Sequence, residues 1–289
     1  MKLKNNSNFE FFSEDMNLSL EEKIKKIDNI ILESLKLAVN PLLLFSGGSD
    51  SLLLLAFLLK HKPDIKVFYI DMRMNFPEYD KLFEKKIKPL IKNLHYHKID
   101  FDEEEFVKKF GIPIYPGVEE IGFIKKDFGK IGLNSVCSEL KKVIMDSELK
   151  KIKPDLTFMG FLASDKPKRY NRVLKRGYLQ LGNGENLCLP LAMLKKGEVF
   201  QILDKLNFPY VKNTYFNNKD GHLHKGDGVC WMCSAKCFNN SKIGNWELLK
   251  ENYPELWERL KKYGLKEKIE DLYNKTKDER FNEALKNYF

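Results

Sequence analysis

The sequence has no internal repeat and no low-complexity linker, so nothing in it indicates a repeat solenoid or a chain of tethered modules. Residues 1–6 are polar and contain no apolar core segment, from which we expect no secretory signal and a cytoplasmic location. The longest apolar stretch, residues 42–59, has Asp50 and two glycines at its centre, so a strand followed by a helix explains it better than a membrane span. The five cysteines are then expected to be reduced thiols, metal ligands or catalysts rather than disulfides.

The charge of the chain is moderately positive. Its 289 residues include 50 Lys and Arg against 41 Asp and Glu, which gives a net charge of +9. These cations are scattered along the sequence, so the charge permits an anionic partner but is weak evidence for nucleic acid. The length suits one large α/β domain with an appendage, or two small domains.

A polar loop rich in glycine, Ser46-Gly47-Gly48-Ser49-Asp50-Ser51, lies between two apolar runs. Residues 41–45 before it predict a buried strand, and residues 52–59 after it predict a buried helix. Glycines allow backbone N–H groups to turn toward one point, and a helix N-terminus adds partial positive charge. The loop therefore predicts a phosphate or pyrophosphate site. A simple helix cap would explain Ser49 or Asp50, but not two glycines flanked by serines.

The remaining pattern alternates strands with helices, which predicts a doubly wound parallel sheet in an α/β fold. Predicted strands cover residues 42–45, 65–70, 94–99 and 155–160, and predicted helices cover residues 18–39, 50–61 and 77–93. Asp50, Asp71 and Gly160 come after strand ends, so we expect them to converge at one crevice.

The domain boundaries follow from changes in composition. We expect an N-terminal helical segment over 1–40, whose residues 1–16 are loosely ordered, and a nucleotide-binding α/β domain over 41–204. Residues 205–289 are expected to hold a cysteine-rich metal loop and C-terminal helices, with an apolar stripe that serves as packing surface.

Three cysteines near the end of the chain have chelate spacing: Cys230, Cys233 and Cys237. We expect Cys137 to supply a fourth ligand, with Cys188 as the reserve. Four thiolates suit a [4Fe-4S] cluster, and Zn²⁺ is the alternative that the spacing leaves open. Unligated thiols are the remaining interpretation. His222 and His224 could also bind zinc, although a polar loop explains them more simply.

Several segments resemble one family. The loop over 46–51 matches the S-G-G-x-D-S signature of the PP-loop ATP pyrophosphatases and of the related adenylyl-sulfate reductases. Five more segments, taken in order, resemble phosphoadenosine phosphosulfate (PAPS) reductases and their relatives across roughly residues 40–240. These segments are Val67–Asp71 with Asn75–Glu78, Cys137–Lys142, Gly160–Arg169, Leu189–Val199 and Gly228–Cys233.

The resemblance implies an adenine-nucleotide enzyme with ATP and Mg²⁺ as cofactors. Such an enzyme would adenylate an acceptor with release of pyrophosphate, for sulfur or nitrogen transfer. It implies Asp50 and Arg169 as catalytic residues. The residues that the resemblance implies for nucleotide binding are Ser46, Gly47, Gly48, Ser49, Asp50, Ser51, Asp71, Gly160, Lys166 and Arg169. Arg172 is expected to be a solvated helix residue.

The resemblance leaves the reaction and its partners open. A nucleotide is the expected substrate, with a nucleic acid or modified base as acceptor and a sulfur-donor protein as further candidates. PAPS reductases carry a C-terminal catalytic cysteine, and this chain has none beyond Cys237, so a reductase would need an external thiol. A 7-cyano-7-deazaguanine synthase-like ligase, a DNA phosphorothioation-type protein and a non-catalytic nucleotide-binding module are also consistent with the motifs.

Overall fold

The structure is a computed structural model. The structure describes residues 12–100, 102–110, 112, 136–182, 186–211, 231, 238–239, 242–243 and 246–289. Within those ranges, every helix is too short or too polar to cross a membrane.

Six strands form one sheet in the order β3-β2-β1-β4-β6-β5. The strands are β1 (Pro41–Phe45), β2 (Lys66–Asp71), β3 (Asn93–Lys98), β4 (Leu156–Met159), β5 (Leu179–Gln180) and β6 (Leu187–Cys188). Strand β1 pairs in parallel with β2 and with β4, and β4 pairs in parallel with β6, whereas β5 is antiparallel to β6. The chain fills one side of β1 with β2 and then the other side with β4, so the topological switch point lies between β1 and β4. This mostly parallel sheet confirms the predicted doubly wound α/β fold.

Helices connect and follow the strands. They are α1 (Leu20–Lys36), α2 (Ser49–His61), α3 (Pro77–Leu82), α4 (Glu103–Phe110), α5 (Val136–Ile152), α6 (Pro167–Arg176), α7 (Lys196–Lys205), α8 (Trp246–Asn252), α9 (Pro254–Lys262), α10 (Leu265–Thr276) and α11 (Glu279–Tyr288). A short antiparallel pair, β7 (Phe238–Asn239) and β8 (Lys242–Ile243), precedes α8. The predicted helical C-terminal part is thereby confirmed.

The central position of β1 explains its uniformly apolar sequence. Leu43 lies in register between Val67 of β2 and Phe158 of β4, and all three side chains are fully buried. A strand with a neighbour on each side and helices above and below needs apolar side chains on both faces. This core places the polar loop at the carboxyl end of β1, where ligands bind in doubly wound sheets.

The predicted helix over 77–93 is shorter and less regular than its apolar pattern indicates. The α-helix ends at Leu82 and continues as a π-helical turn, Phe83–Ile87, and a 3₁₀ turn, Lys88–Leu90. Pro89 prevents a regular α-helix from continuing past this point, because it has no N–H to donate to the Lys85 carbonyl and its ring clashes with that carbonyl.

The expectation of loose order over 1–16 is wrong for its last residues; residues 1–11 lie outside the described part. Phe12 is 2% exposed and its ring centroid lies 5.6 Å from that of Tyr178. The Tyr178 hydroxyl donates a 2.6 Å hydrogen bond to Asp15, which is also buried. These contacts join residues more than 160 positions apart, so local sequence did not reveal them.

The described residues form two compact units. The first comprises Met1–Ile70, Pro77–His97 and Lys151–Val229, and the second comprises Asp71–Phe76, Lys98–Lys150 and Cys230–Phe289, each as far as it is described. The second unit has its own aromatic core, in which the buried rings of Trp246 and Trp257 lie 5.9 Å apart. The apolar stripe predicted in the C-terminal helices is therefore packing surface.

Candidate phosphate-binding site

The loop between β1 and α2 has a backbone that requires glycine at one position. Gly47 has a φ of +79°, a region that side chains other than glycine rarely adopt. A methyl group at this position would also lie 2.0 Å from the Tyr79 hydroxyl oxygen. Gly48 is different, because its φ is −69° and its nearest neighbour, Ser46 Oγ, would be at an ordinary 3.6 Å.

Hydroxyl groups stabilise the loop from within. Ser51 Oγ donates to the Gly48 carbonyl at 2.9 Å, and Ser46 Oγ donates to Ser51 Oγ at 3.2 Å. Ser49 and Ser51 are buried, whereas Ser46 is exposed. Gly48 is the N-cap of α2 and makes no side-chain cap, so the first-turn N–H groups of the helix lack an intrahelical acceptor. An anion is the natural partner of such a helix terminus.

Gly160 packs against the first turn of α2. It follows β4, and a methyl group on it would lie 2.8 Å from both the carbonyl carbon of Asp50 and the nitrogen of Ser51. Only glycine allows the end of β4 to pack this closely against the first turn of α2. The structure therefore gives Gly160 a packing role beside the loop.

Lys196 is a site residue that the sequence pattern did not identify. It is the first residue of α7, and its amine donates a 2.7 Å hydrogen bond to Asp50 Oδ1. The side chains of Asp50 and Lys196 are 17% and 31% exposed, so the pair is partly shielded but open to a ligand. Residues Lys196–Val199 resemble a segment of the family, but this resemblance does not show that Lys196 pairs with Asp50.

The start of α7 is held by a partly buried ion pair. Glu198 accepts the Lys195 backbone N–H at 2.7 Å through one carboxylate oxygen. Its second oxygen accepts the amine of Lys23, at 2.7 Å, and the Lys23 side chain is only 2% exposed. Helix α1, which carries Lys23, therefore fixes the helix terminus from which Lys196 reaches Asp50.

Asp165 and Arg169 form a second ion pair next to this site. Asp165 lies in a 3₁₀ turn that Ser164 ties to the segment before α7, through a 3.0 Å hydrogen bond to the Leu194 carbonyl. Arg169 pairs with Asp165 and lies over the Phe161 ring, 4.9 Å from its centroid.

The neighbouring charges affect the pKa of Asp165. Burial raises the pKa of this carboxyl, and the negative charge of Asp50 raises it further. Arg169, Lys196 and Lys166 oppose that rise. The first compact unit thus brings together two carboxylates and three cations beside a glycine loop, an arrangement suited to binding a multiply charged anion such as a nucleotide phosphate.

Asp71 belongs to the second compact unit, and the side chains of the four predicted metal ligands lie outside the described residues. Asp71 ends β2, is 8% exposed, and accepts hydrogen bonds from the Arg73 N–H at 2.7 Å and from Asn75 at 3.3 Å within the second unit. Cys137 belongs to α5, but its side chain lies outside the described residues, as do Cys230, Cys233 and Cys237. The predicted metal centre therefore stays a prediction, and so do His222 and His224 as ligands.

Cys188, the reserve ligand, is a core thiol. It is fully buried in β6, and its sulfur lies 3.3 Å from Ser34 Oγ. Burial raises the pKa of this thiol to about 12, so it is not a thiolate at neutral pH. These surroundings argue against Cys188 as a metal ligand.

A doubly wound sheet with a glycine-rich loop and a helix N-terminus at its switch point is an architecture shared by many nucleotide-binding proteins. The phosphoadenosine phosphosulfate reductase domain matches residues 40–214, and the chain belongs to this family. The family is enzymatic and acts on nucleotide sulfates.

Comparison with known proteins adds two facts. A crystal structure of phosphoadenylyl-sulfate (PAPS) reductase from Candida auris, in a phosphate complex, is similar over 73% of this chain and 90% of that chain, with 17% identity and a TM-score of 0.49. No curated protein matches the sequence.

Proposed function

We propose that this protein binds ATP at the loop over 46–51 and transfers the adenylyl group to an acceptor. A nucleophilic atom of the acceptor forms a bond to the α-phosphorus, and the bond from that phosphorus to the bridging oxygen of the β-phosphate breaks. Pyrophosphate leaves, and the acceptor proton passes to solvent. A sulfur or nitrogen nucleophile then displaces AMP from the activated acceptor.

The observation that carries the proposal is the Asp50–Lys196 pair at the N-terminus of α2. In this proposal, the first-turn N–H groups hold the leaving pyrophosphate, whose charge grows as the bond breaks. Lys196 supplies a positive charge to the same oxygens, and Asp50 keeps the amine in place before the nucleotide binds. Asp50 could also hold Mg²⁺ with the nucleotide, because carboxylate oxygens are preferred magnesium ligands.

Arg169 is proposed to face the phosphates as well. The Arg169 side chain is 38% exposed, so a phosphate can reach its guanidinium and compete with the present partner, Asp165. Catalysis of this type needs positioning and electrostatic stabilisation rather than a protein nucleophile.

Sulfonucleotide reduction is the second candidate, because it is the activity for which the matched family is named. Both reactions use an adenine nucleotide, but they cleave different bonds. The reductase would release sulfite from PAPS and would take two electrons from an external thiol. The adenylating enzyme would release pyrophosphate from ATP.

We propose a metal centre held by Cys137, Cys230, Cys233 and Cys237, with a [4Fe-4S] cluster favoured over Zn²⁺. The support is the chelate spacing and the resemblance. Metal analysis of anaerobically purified protein tests this proposal. We expect about four irons per chain in wild type and in Cys188→Ser, and fewer irons per chain in Cys137→Ser. One zinc per chain would reject the cluster, and loss of metal in Cys188→Ser alone would reject the choice of Cys137.

Product analysis tests the proposed reaction. Protein with MgATP is expected to form AMP and pyrophosphate slowly, with water as the acceptor, and Asp50→Asn should abolish this. Lys62→Met, at the opposite end of α2, is the matched control and should retain it. Sulfite release from PAPS with dithiothreitol, without cleavage of ATP, would favour the reductase. ADP and phosphate as products would reject adenylation.

A further inference from the structure

Half of the arginines in this chain lie on one helix. Lysine and arginine together number 50, but only six of these are arginine. Three of the six, Arg169, Arg172 and Arg176, lie on α6. Steps of three and four residues place them along one face of the helix, while Val173 and Leu174 are buried. We refer to Arg169, Arg172 and Arg176 as the arginine stripe.

Arg172 is held in place by a neighbouring side chain. Arg172 Nε donates to Gln180 Oε1 at 2.9 Å, and Gln180 is 6% exposed and donates to the Gly177 carbonyl at 3.1 Å. A buried amide therefore orients the guanidinium of a half-buried Arg172, which is not the simply solvated residue that the sequence predicted. Arg176, at the last position of α6, is exposed.

The stripe lies in a segment rich in cations, whose nearest acidic residue along the sequence is Asp165, the partner of Arg169. Residues 166–182 contain six cations and no Asp or Glu, although the whole chain has 41 acidic residues to 50 basic ones. The expectation that cations are scattered is therefore wrong for this segment. Arginine is also the side chain that binds phosphate through a planar pair of donors, whereas lysine is a point charge.

The length of the stripe indicates the size of its ligand. At about 1.5 Å per residue, Arg169 and Arg176 are separated by about 10 Å along the helix axis. One strand of a double helix carries a phosphate about every 3.4 Å of axis, so the stripe spans about three phosphate intervals, or about four consecutive phosphates. In the proposed function, the phosphates of a mononucleotide are bound by the loop over 46–51 with Lys196 and Arg169, which leaves Arg172 and Arg176 for a second anionic ligand.

We propose that the arginine stripe binds the phosphate backbone of a nucleic-acid strand that carries the acceptor base. This inference rests on the proposed function, since it names the class of acceptor for the same site. The turn before α6 is bonded through Ser164 to the Leu194 carbonyl, just before α7, and Lys196 at the start of α7 contacts Asp50, so a strand along α6 approaches the loop. The contacts are to phosphates, which fix the position of a strand but do not select its sequence.

Fluorescence anisotropy with labelled single-stranded RNA and DNA oligonucleotides of one sequence tests the proposal. The double variant Arg172→Ala/Arg176→Ala should bind at least about tenfold more weakly than wild type, because two charge-assisted contacts are lost. The slope of log affinity against log salt should fall by about 1.4, which is two contacts at about 0.7 each for single strands. Stronger binding of RNA or of DNA identifies the acceptor strand.

Two further variants isolate the role of the stripe. Lys36→Ala/Lys62→Ala also removes two positive charges, from the segments that precede the amino ends of β1 and β2, and should bind like wild type. Arg172→Lys/Arg176→Lys should keep most of the salt slope but lose affinity severalfold, because the charge remains and the paired donors do not. Circular dichroism and thermal unfolding confirm that each variant is folded.

Three outcomes overturn the inference: no oligonucleotide binding by wild type, equal loss in the stripe and control variants, or competition by poly-glutamate as strong as that by unlabelled oligonucleotide. The last would indicate an acidic protein partner.

Failure of the proposed function is a separate result. It would appear as absent ATP cleavage in wild type, whereas the stripe variant should bind ATP and form AMP like wild type.

Discussion

Replacement of Gly47 by alanine should be far more damaging than the same replacement at Gly48. At Gly47 the φ of +79° opposes any L side chain, at a cost of about 1–2 kcal/mol. The new methyl group would also lie 2.0 Å from Tyr79 Oη and 2.5 Å from its ring carbon, and Tyr79 is buried. Relief of that overlap requires a shift of the packed ring, which typically costs a further 1–3 kcal/mol or so.

The same substitution at Gly48 involves neither an unfavourable φ nor a steric overlap. Its φ of −69° suits alanine and the nearest contact is 3.6 Å. Alanine lowers the entropy of the unfolded chain by about 0.4–1 kcal/mol but is a poorer N-cap than glycine, so we expect a change within about 1 kcal/mol of zero.

Urea unfolding of both variants measures the difference. The expected loss in free energy of unfolding is about 2–5 kcal/mol for Gly47→Ala, from the sum of the two costs. A double-mutant cycle with Tyr79→Leu should recover the overlap cost but not the φ cost. Equal stability of Gly47→Ala and Gly48→Ala would refute the account of the loop.

Further predictions concern charge and burial. Lys196→Met should weaken ATP binding by about 1.5–3 kcal/mol, the usual value of a charge-assisted contact, as measured by isothermal titration; unchanged affinity would remove Lys196 from the site. Because burial raises the pKa of Asp165, the folded state holds that proton more tightly, so wild type should lose stability relative to Asp165→Asn as the pH rises above 3.8. Urea unfolding at several pH values checks this, and a difference that rises with pH would contradict it. The thiol of Cys188 should resist iodoacetamide in the native protein at pH 8 and react after unfolding, and mass spectrometry that finds native labelling would contradict its core position.

The sequence predicted well what depends on neighbours along the chain. The loop over 46–51 and its flanking apolar runs are contiguous, so the predicted strand 42–45 and helix 50–61 were found as Pro41–Phe45 and Ser49–His61. The alternation of strands and helices likewise predicted the sheet, because parallel strands require crossover connections.

Contacts across the chain were not predictable from local pattern. Lys196 and Asp50 are 146 positions apart, and Lys23 and Glu198 are 175 apart. Lysine at a helix start is ordinarily a solvated residue, so nothing local marks Lys196 as the partner of a loop carboxylate. The π-helical turn after Leu82 was missed because the apolar spacing continues through it, while Pro89 prevents a regular helix.

The central claim is that the loop over 46–51 binds the pyrophosphate part of an adenine nucleotide. Isothermal titration of the wild-type protein with ATP, inorganic pyrophosphate and AMP in the presence of Mg²⁺ tests it most directly. We predict that pyrophosphate competes with ATP for one site and that AMP binds at least about tenfold more weakly than ATP, because AMP lacks the groups that meet the helix terminus and Lys196. Equal affinities for AMP and ATP, with no competition by pyrophosphate, would contradict the account.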